Sequence, residues 1–268
     1  MASQDFSAPF TLYTYTYSIC AIMVQMTYEM RGSPREGRPD LKLERKNMDI
    51  SLHGREQLSE FYLLKVNPKG VVPVLVNEKL LDKPMPESVD ISYYFADWYP
   101  SLLPPQHKQV IQELIEELHE ISYKLLTFGT QTKYPETAVE WMREQLGRKD
   151  ISDEYRKALE YKVGMTKGWA DNHSDADLAE NEARTRAFCA KVIELMKKRP
   201  EEEDRFTYIF GPEPTVLDAH VVVFLGRVYE KGRLYLLPPT LIKWHEQLRE
   251  TDMWKRAVPA GTTLPPMW

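Results

Sequence analysis

Two cysteines in 268 residues, Cys20 and Cys189, cannot build a framework of disulfides, and no CxxC pair or zinc spacing accompanies them. A reducing compartment suits them. The six histidines do not cluster at metal-ligand intervals, and "HEQ" and "HEI" are not zinc motifs. "DNHSDADLAE" carries carboxylates without the glycine and terminal spacing of a calcium loop. No stretch approaches the apolar length of a membrane span, and "MASQDFSAPF" has neither a basic start nor a long apolar run, so a cytoplasmic protein without a membrane partner is expected. Positive charge is in deficit: the net charge of −5 gives no general attraction to nucleic acid or anionic lipid. A small anionic ligand therefore needs a local cluster of donors. Internal repeats and low-complexity tracts are also missing.

The composition is that of a folded chain, 43% hydrophobic and 28% charged, with length enough for two domains that each bury a core. Phe10 to Tyr15 alternates apolar and polar residues and is rich in aromatics and threonine, which reads as a strand. After Ser18 the apolar residues Ile19, Ile22, Met23, Met26 and Met30 form the stripe of an amphipathic helix, broken by "RGSPREGRP". A second strand is expected over Leu41 to Met48, a short helical stretch over Glu56 to Lys65, and two short strands over Val71 to Val76 and Lys79 to Leu81. "PESVDISYYFADW" then reads as a helix, with Pro86 suited to its start and Glu87 in its first turn, where the helix dipole favours an acid.

The proline-rich segment "YPSLLPPQ" reads as a linker, placing an α/β domain at 1–100, a join at 101–106 and an all-helical domain at 107–268. Helical patterns follow over "QVIQELIEELHEISYKLL", Glu136 to Leu146, Asp153 to Ala170, Leu178 to Lys198, Val216 to Tyr229 and Pro239 to Glu250. Thr215 and Asp218 make a capping box, and the body of that helix, Ala219 to Leu225, is apolar nearly all round. It belongs inside the helical domain.

"NPKGVVPVLV", Asn67 to Val76, reads as a buried strand interrupted by a proline that has no N–H for a ladder. If the Val72–Pro73 bond is cis, the bend frees the backbone N–H and C=O of Val72 for an extended peptide, which binds as one more strand. "LYTYTYSIC", "NPKGVVPVLV", "ESVDISYYF" and "GPEPTVLDAHVVVFLG" together resemble the glutathione transferase family, most closely its serine-type, zeta-like members. The resemblance implies a thioredoxin-like N-terminal domain, an all-α C-terminal domain, glutathione as cosubstrate and a homodimer. Fungal proteins of aromatic polyketide pathways look similar too.

Carried over residue by residue, the resemblance makes Ser18 the catalytic hydroxyl at the start of the first helix, with Tyr17 and Cys20 as alternatives. Val72 and Pro73 become the step that holds the cysteinyl backbone, and Glu87 and Ser88 the acid and hydroxyl that take the γ-glutamyl group. Gly70 and Val71 depart from relatives that carry a polar or basic side chain there, so Lys69, His53 or Lys83 is expected to meet the glycyl carboxylate. Tyr15, Tyr17, Tyr123 and Phe128 are candidates for an aromatic pocket that takes a hydrophobic or aromatic second substrate. A hydroxyl donor and a helix N-terminus favour the thiolate, the nucleophilic form; lowering its pKa by about two units takes roughly 2.7 kcal/mol. Addition of that thiolate to an electrophile, with isomerisation or elimination as variants, is the expected chemistry. Against it stand a plain N-cap role for Ser18, a packing role for Cys20, and a non-catalytic subunit that keeps the fold for binding or assembly. The stretch Thr132 to Glu180 exceeds what a minimal transferase needs and reads either as a lid or as helical padding.

Overall fold

Parallel pairing of two strands demands a crossover, and the first helix supplies it. In the computed structural model, which describes Phe6 and residues 8–130, 134–170, 174–198 and 207–265, strands β1 (Phe10–Thr14) and β2 (Leu43–Asn47) run parallel, with Phe10 opposite Leu43. Helix α1 (Ile19–Glu29) makes the connection. Strands β3 (Val74–Val76) and β4 (Met85–Pro86) complete a mixed four-stranded sheet in the order β2-β1-β3-β4. Helix α2 (Ser88–Trp98) follows, and Tyr99 and Leu102 are buried around the 3₁₀ turn Pro100–Leu102.

The rest is helical: α3 (Lys108–Glu120), α4 (Tyr123–Phe128), α5 (Tyr134–Leu146), α6 (Asp153–Ala170), α7 (Asp175–Met196), α8 (Val216–Glu230), α9 (Pro239–Arg249) and α10 (Asp252–Ala257). Helix α1 is buried along most of its length because α2 covers one side while α8 and α10 cover the other. The apolar core therefore runs without a break from Leu12 and Ile22 through Ile91 and Phe95 to Val221 and Phe224. At its far end Glu29 is clamped by Arg45 of β2 and Arg256 of α10, at 2.5 and 2.6 Å.

Several expected elements take another form. Lys79 to Leu81 is a turn and not a strand, because the Asn77 side chain accepts from the N–H groups of both Lys79 and Leu80 at 2.9 Å. The strand that pairs with β3 is the later Met85–Pro86, so Pro86 sits in the sheet and Glu87 caps α2. The Glu56 to Lys65 stretch divides into a 3₁₀ turn, Glu56–Leu58, and a π-helix, Tyr62–Val66. The long first helix of the helical part breaks at Ile121, where Ser122 caps α4 through a bond from Leu125 N. Helix α10 has no counterpart in the sequence reading. Within Thr132 to Glu180, residues 132–133 and 171–173 lie outside the described residues.

Helices α5 and α6 pack as a hairpin with a core of their own, in which Val139, Met142, Tyr155 and Leu159 enclose Leu58 and Leu63. Tyr155 donates to the Leu58 carbonyl at 2.7 Å, Ser152 hydrogen-bonds Glu60, and the Arg55 guanidinium lies 5.3 Å from the Trp141 ring. The hairpin thereby sits against the segment that leads into Val72.

In the capping box of α8, the Asp218 carboxylate accepts from Thr215 N at 2.8 Å, Thr215 Oγ1 at 2.6 Å and Ile209 N at 2.7 Å, all inside the core. Removing it leaves three buried donors without an acceptor. Asp218→Ala should lower stability by about 3 kcal/mol and Tm by roughly 5–10 °C, read by thermal circular dichroism. A change below about 1 kcal/mol would contradict the structural role given to this carboxylate.

Candidate functional site

The chain leaves β1 at Thr14 and must reverse into α1 within four residues, and it does so with Ser18 as N-cap (φ −76°, ψ 114°). The Ser18 Oγ accepts from Ala21 N at 3.4 Å, which leaves its proton available as a donor. Tyr15 and Tyr17 pack edge to face with ring centres 5.5 Å apart. Cys20 is the second residue of the helix, and the Ser88 hydroxyl pulls its thiol pKa down against the larger upward push of burial. The N-termini of α1 and α2 each carry unpaired N–H groups and a positive dipole end, the features that attract an anion.

The second helix tip is shaped by backbone conformation. Glu87 precedes Ser88 with φ +73° and ψ 117°, a conformation that a residue with a side chain rarely adopts and that tends to mark functional positions. Its carboxylate pairs with Lys69 at 2.5 Å on the surface. Val72–Pro73 is cis, and the carbonyl before it, that of Val71, accepts from Tyr62 Oη at 2.8 Å and Asn67 Nδ2 at 3.0 Å. Gly70 has φ +56° and no room for a side chain: an added Cβ would lie 3.0 Å from Leu63 and 3.1 Å from the Gln57 carbonyl. The departure at Gly70 noted in the sequence is thus enforced by the packing behind it.

Three cations stand around the two tips. Arg227 of α8 is 5% exposed and donates to the Tyr17 carbonyl at 2.7 Å, the Thr263 carbonyl at 2.5 Å, and the hydroxyls of Thr263 and Thr127 at 3.2 Å. Burial pushes its pKa down to about 10, opposed by the Glu230 charge, so it remains cationic at neutral pH. Lys162 of α6, also 5% exposed, donates to the carbonyls of Lys69 at 2.5 Å and Gly70 at 3.2 Å. Burial lowers it to about 8. Lys124 of α4 reaches solvent, yet crowding around its ammonium, reinforced by the like charge of Lys162, takes it to about 8 as well. Burial dominates at Cys20 and raises its thiol above the ordinary value, against the pull of Ser88, Arg227 and Lys124.

The expected site residues divide accordingly. Ser18 and Cys20 lie at the start of α1 and Glu87 and Ser88 at the start of α2, while Tyr123, at the start of α4, donates its hydroxyl to the Leu118 carbonyl at 3.0 Å and has its phenol pushed well up by burial. Lys69 is engaged with Glu87, on the side assigned to the γ-glutamyl group. His53 sits exposed in the turn after β2, where its N–H donates to Ser51 Oγ, and among the described residues no hydrogen bond ties its side chain to the helix tips. Phe128 is 39% exposed at the outer end of α4. Arg227, Lys124, Lys162 and His119 escaped the sequence reading; a lone arginine in the apolar stretch of α8 is the signal that would have found the first.

No protein-family model matches the chain, and no curated protein matches it. Solved structures do. Maleylacetoacetate isomerase from Methylobacterium extorquens AM1, with bound malonate and glutathione, superposes with a TM-score of 0.56 at 15% identity over 96% of this chain and 100% of its own. A bacterial zeta-class glutathione transferase, maleyl pyruvate isomerase, gives 0.53 at 18% over 94% and 98%. The beta-etherase LigF from Sphingobium sp. strain SYK-6 gives 0.62 at 17% over 94% and 100%. The fold is that of the glutathione transferases.

Lys162 makes this arrangement sensitive to pH. An unfolded lysine loses its proton near 10.5, whereas the folded group does so near 8. Between those values the unfolded chain binds the extra proton, so stability rises with pH by up to about 3 kcal/mol. Denaturant unfolding of the unmodified protein and Lys162→Met should diverge across this window, the rise being smaller in the variant, which keeps only the share from Lys124. Parallel curves would contradict it.

Proposed function

We propose that the chain is a glutathione-dependent enzyme that ionises the glutathione thiol at the tip of α1 and adds it to an electrophilic, hydrophobic or aromatic small molecule. The observation that carries this reading is the Ser18 cap at the start of α1, with buried Arg227 fixed to the Tyr17 carbonyl just before it. The tripeptide has two carboxylates and one ammonium. The γ-glutamyl carboxylate meets the Ser88 hydroxyl and the free N–H groups of α2, its ammonium meets Glu87, and the cysteinyl backbone pairs with Val72. Lys162, behind the Lys69 and Gly70 carbonyls, brings positive charge to the remaining part of the groove.

The sulfur then lies at the start of α1. Ser18 Oγ accepts from Ala21 N and donates its own proton to the thiolate, so one hydroxyl serves cap and catalyst together. The helix terminus and the Arg227 charge favour the same anion. Ser18 ranks above Cys20, whose thiol burial holds in the protonated form, and above Tyr17, whose ring turns onto Tyr15. The thiolate attacks the acceptor and displaces a leaving group, or adds reversibly so that a double bond rotates before the thiol departs. Tyr15 and Tyr123 flank the acceptor's approach. The same reading makes the protein a cytoplasmic homodimer of a thioredoxin-like domain (1–100) and a helical domain (107–268), and the sequence resemblance suggests a fungal natural-product pathway as its setting.

A second reading is a non-catalytic binding or assembly subunit. It is favoured by the Lys69–Glu87 pair, in which two groups assigned to the ligand already satisfy one another. Steady-state conjugation of glutathione to an aryl halide separates the two. Ser18→Ala should lower kcat/KM by roughly 10- to 100-fold, the worth of one hydrogen bond to a charged group, while calorimetry finds glutathione bound with similar affinity. Equal rates in both proteins would remove Ser18 from catalysis, and absent glutathione binding would favour the assembly role.

A further inference from the structure

A line of polar side chains crosses the core beside the site, and the mechanism above makes no use of it. Ser92 lies one turn after Ser88 on α2, so the two hydroxyls share a helix face. Its Oγ is 3.3 Å from Thr27 Oγ1 on α1 and 2.9 Å from His220 Nε2 on α8. His220 Nδ1 is 3.0 Å from Nε2 of His119, in the last turn of α3. Thr27, Ser92 and His220 are all fully buried.

One end of this line assigns every proton. The Thr27 hydroxyl donates to the Met23 carbonyl at 2.9 Å, and a carbonyl oxygen can only accept. Having one proton, Thr27 must accept from Ser92. Ser92 has then given its own proton and must accept from His220 Nε2–H. A neutral imidazole protonated at Nε2 has a bare Nδ1, and that atom accepts from His119 Nε2–H. By the same rule His119 ends the relay with a bare Nδ1. Burial keeps both rings neutral: His119 falls to about 4 and His220 lies well below its ordinary range.

The relay reaches the start of α2 through Ser92, one turn beyond Ser88 on the same helix face. The His119 ring packs against Tyr123 with centres 5.6 Å apart, and it senses the carboxylate of Glu87. A base this weak would not hold a thiol proton at neutral pH. A neutral acceptor beside a carboxylate instead suits a cationic donor, which a protonated histidine would repel.

We propose that His119 completes the ammonium subsite at the γ-glutamyl end of glutathione, its Nδ1 accepting a hydrogen bond from the ligand's α-ammonium while Glu87 supplies the opposing charge. Thr27, Ser92 and His220 are positioning residues that fix the tautomer. The inference rests on the glutathione reading above and deepens it by giving the site a means of selecting an amine-bearing ligand.

Calorimetry with glutathione and with glutaryl-cysteinyl-glycine, the same tripeptide without the α-amino group, tests it. His119→Phe should weaken glutathione about tenfold and leave the des-amino analogue within about twofold, as expected for one hydrogen bond to a charged group. His119→Gln, whose amide can give an N–H to His220 and keep an oxygen for the ligand, should restore the preference for glutathione. In the unmodified protein, imidazole nitrogen shifts by NMR should place the proton on Nε2 of both rings, a measurement that does not depend on any variant folding. Equal loss for both ligands in His119→Phe, no loss for either, or an Nδ1–H tautomer at His119 would overturn this inference alone. If the unmodified protein bound neither tripeptide, the glutathione reading would fall and this inference with it.

Discussion

The guanidinium of Arg227 is held inside the protein by four hydrogen bonds, and each ends on a neutral oxygen: two carbonyls and two hydroxyls. A buried charge that bonds no carboxylate directly costs stability, since its desolvation is only partly offset by hydrogen bonds to neutral groups. What the arrangement secures is geometry and field. One of the four bonds ends on the Tyr17 carbonyl, the residue before the Ser18 cap, so α8 fixes the entry into α1 while placing a positive charge under its tip. Another holds Thr263 near the chain's end, and Glu230 takes the Thr263 N–H and hydroxyl at 2.7 and 2.6 Å. The strand-to-helix reversal that carries the candidate catalytic hydroxyl is therefore built by residues more than two hundred positions away.

That distance separates what local sequence shows from what it hides. The β1 strand, the α1 stripe, Ser18, the proline step and the capping box of α8 all rest on neighbours within one or two turns, and each is legible there. Arg227 meets Tyr17, Lys162 meets Gly70, and His220 meets both Ser92 and His119 only through tertiary packing. Their roles have no local periodicity to betray them. Lys162 is the clearest case, because in a helix rich in lysine and glutamate nothing marks it as the one that turns inward. The misread strand at Lys79 to Leu81 has the opposite cause: a local side-chain bond from Asn77 outcompetes the sheet for those N–H groups.

The α5–α6 hairpin changes the setting of the site relative to its plainest form. Packed on Leu58 and Leu63, and reaching the Lys69 and Gly70 carbonyls through Lys162, it couples the helical half to the loop before Val72. The Thr27–Ser92–His220–His119 line couples the same two halves through α2 and α8. Both links pass close to the helix tips. Changes in either half should therefore be felt at the candidate site.

The central claim is that the α1 tip, its cap and the buried cation together stabilise a bound thiolate. Titrating the ultraviolet absorbance of thiolate in glutathione bound to the unmodified protein tests it most directly. The bound thiol should ionise about two pH units below the ordinary value for a free thiol, roughly 8.5. Ionisation at the free value would contradict the account.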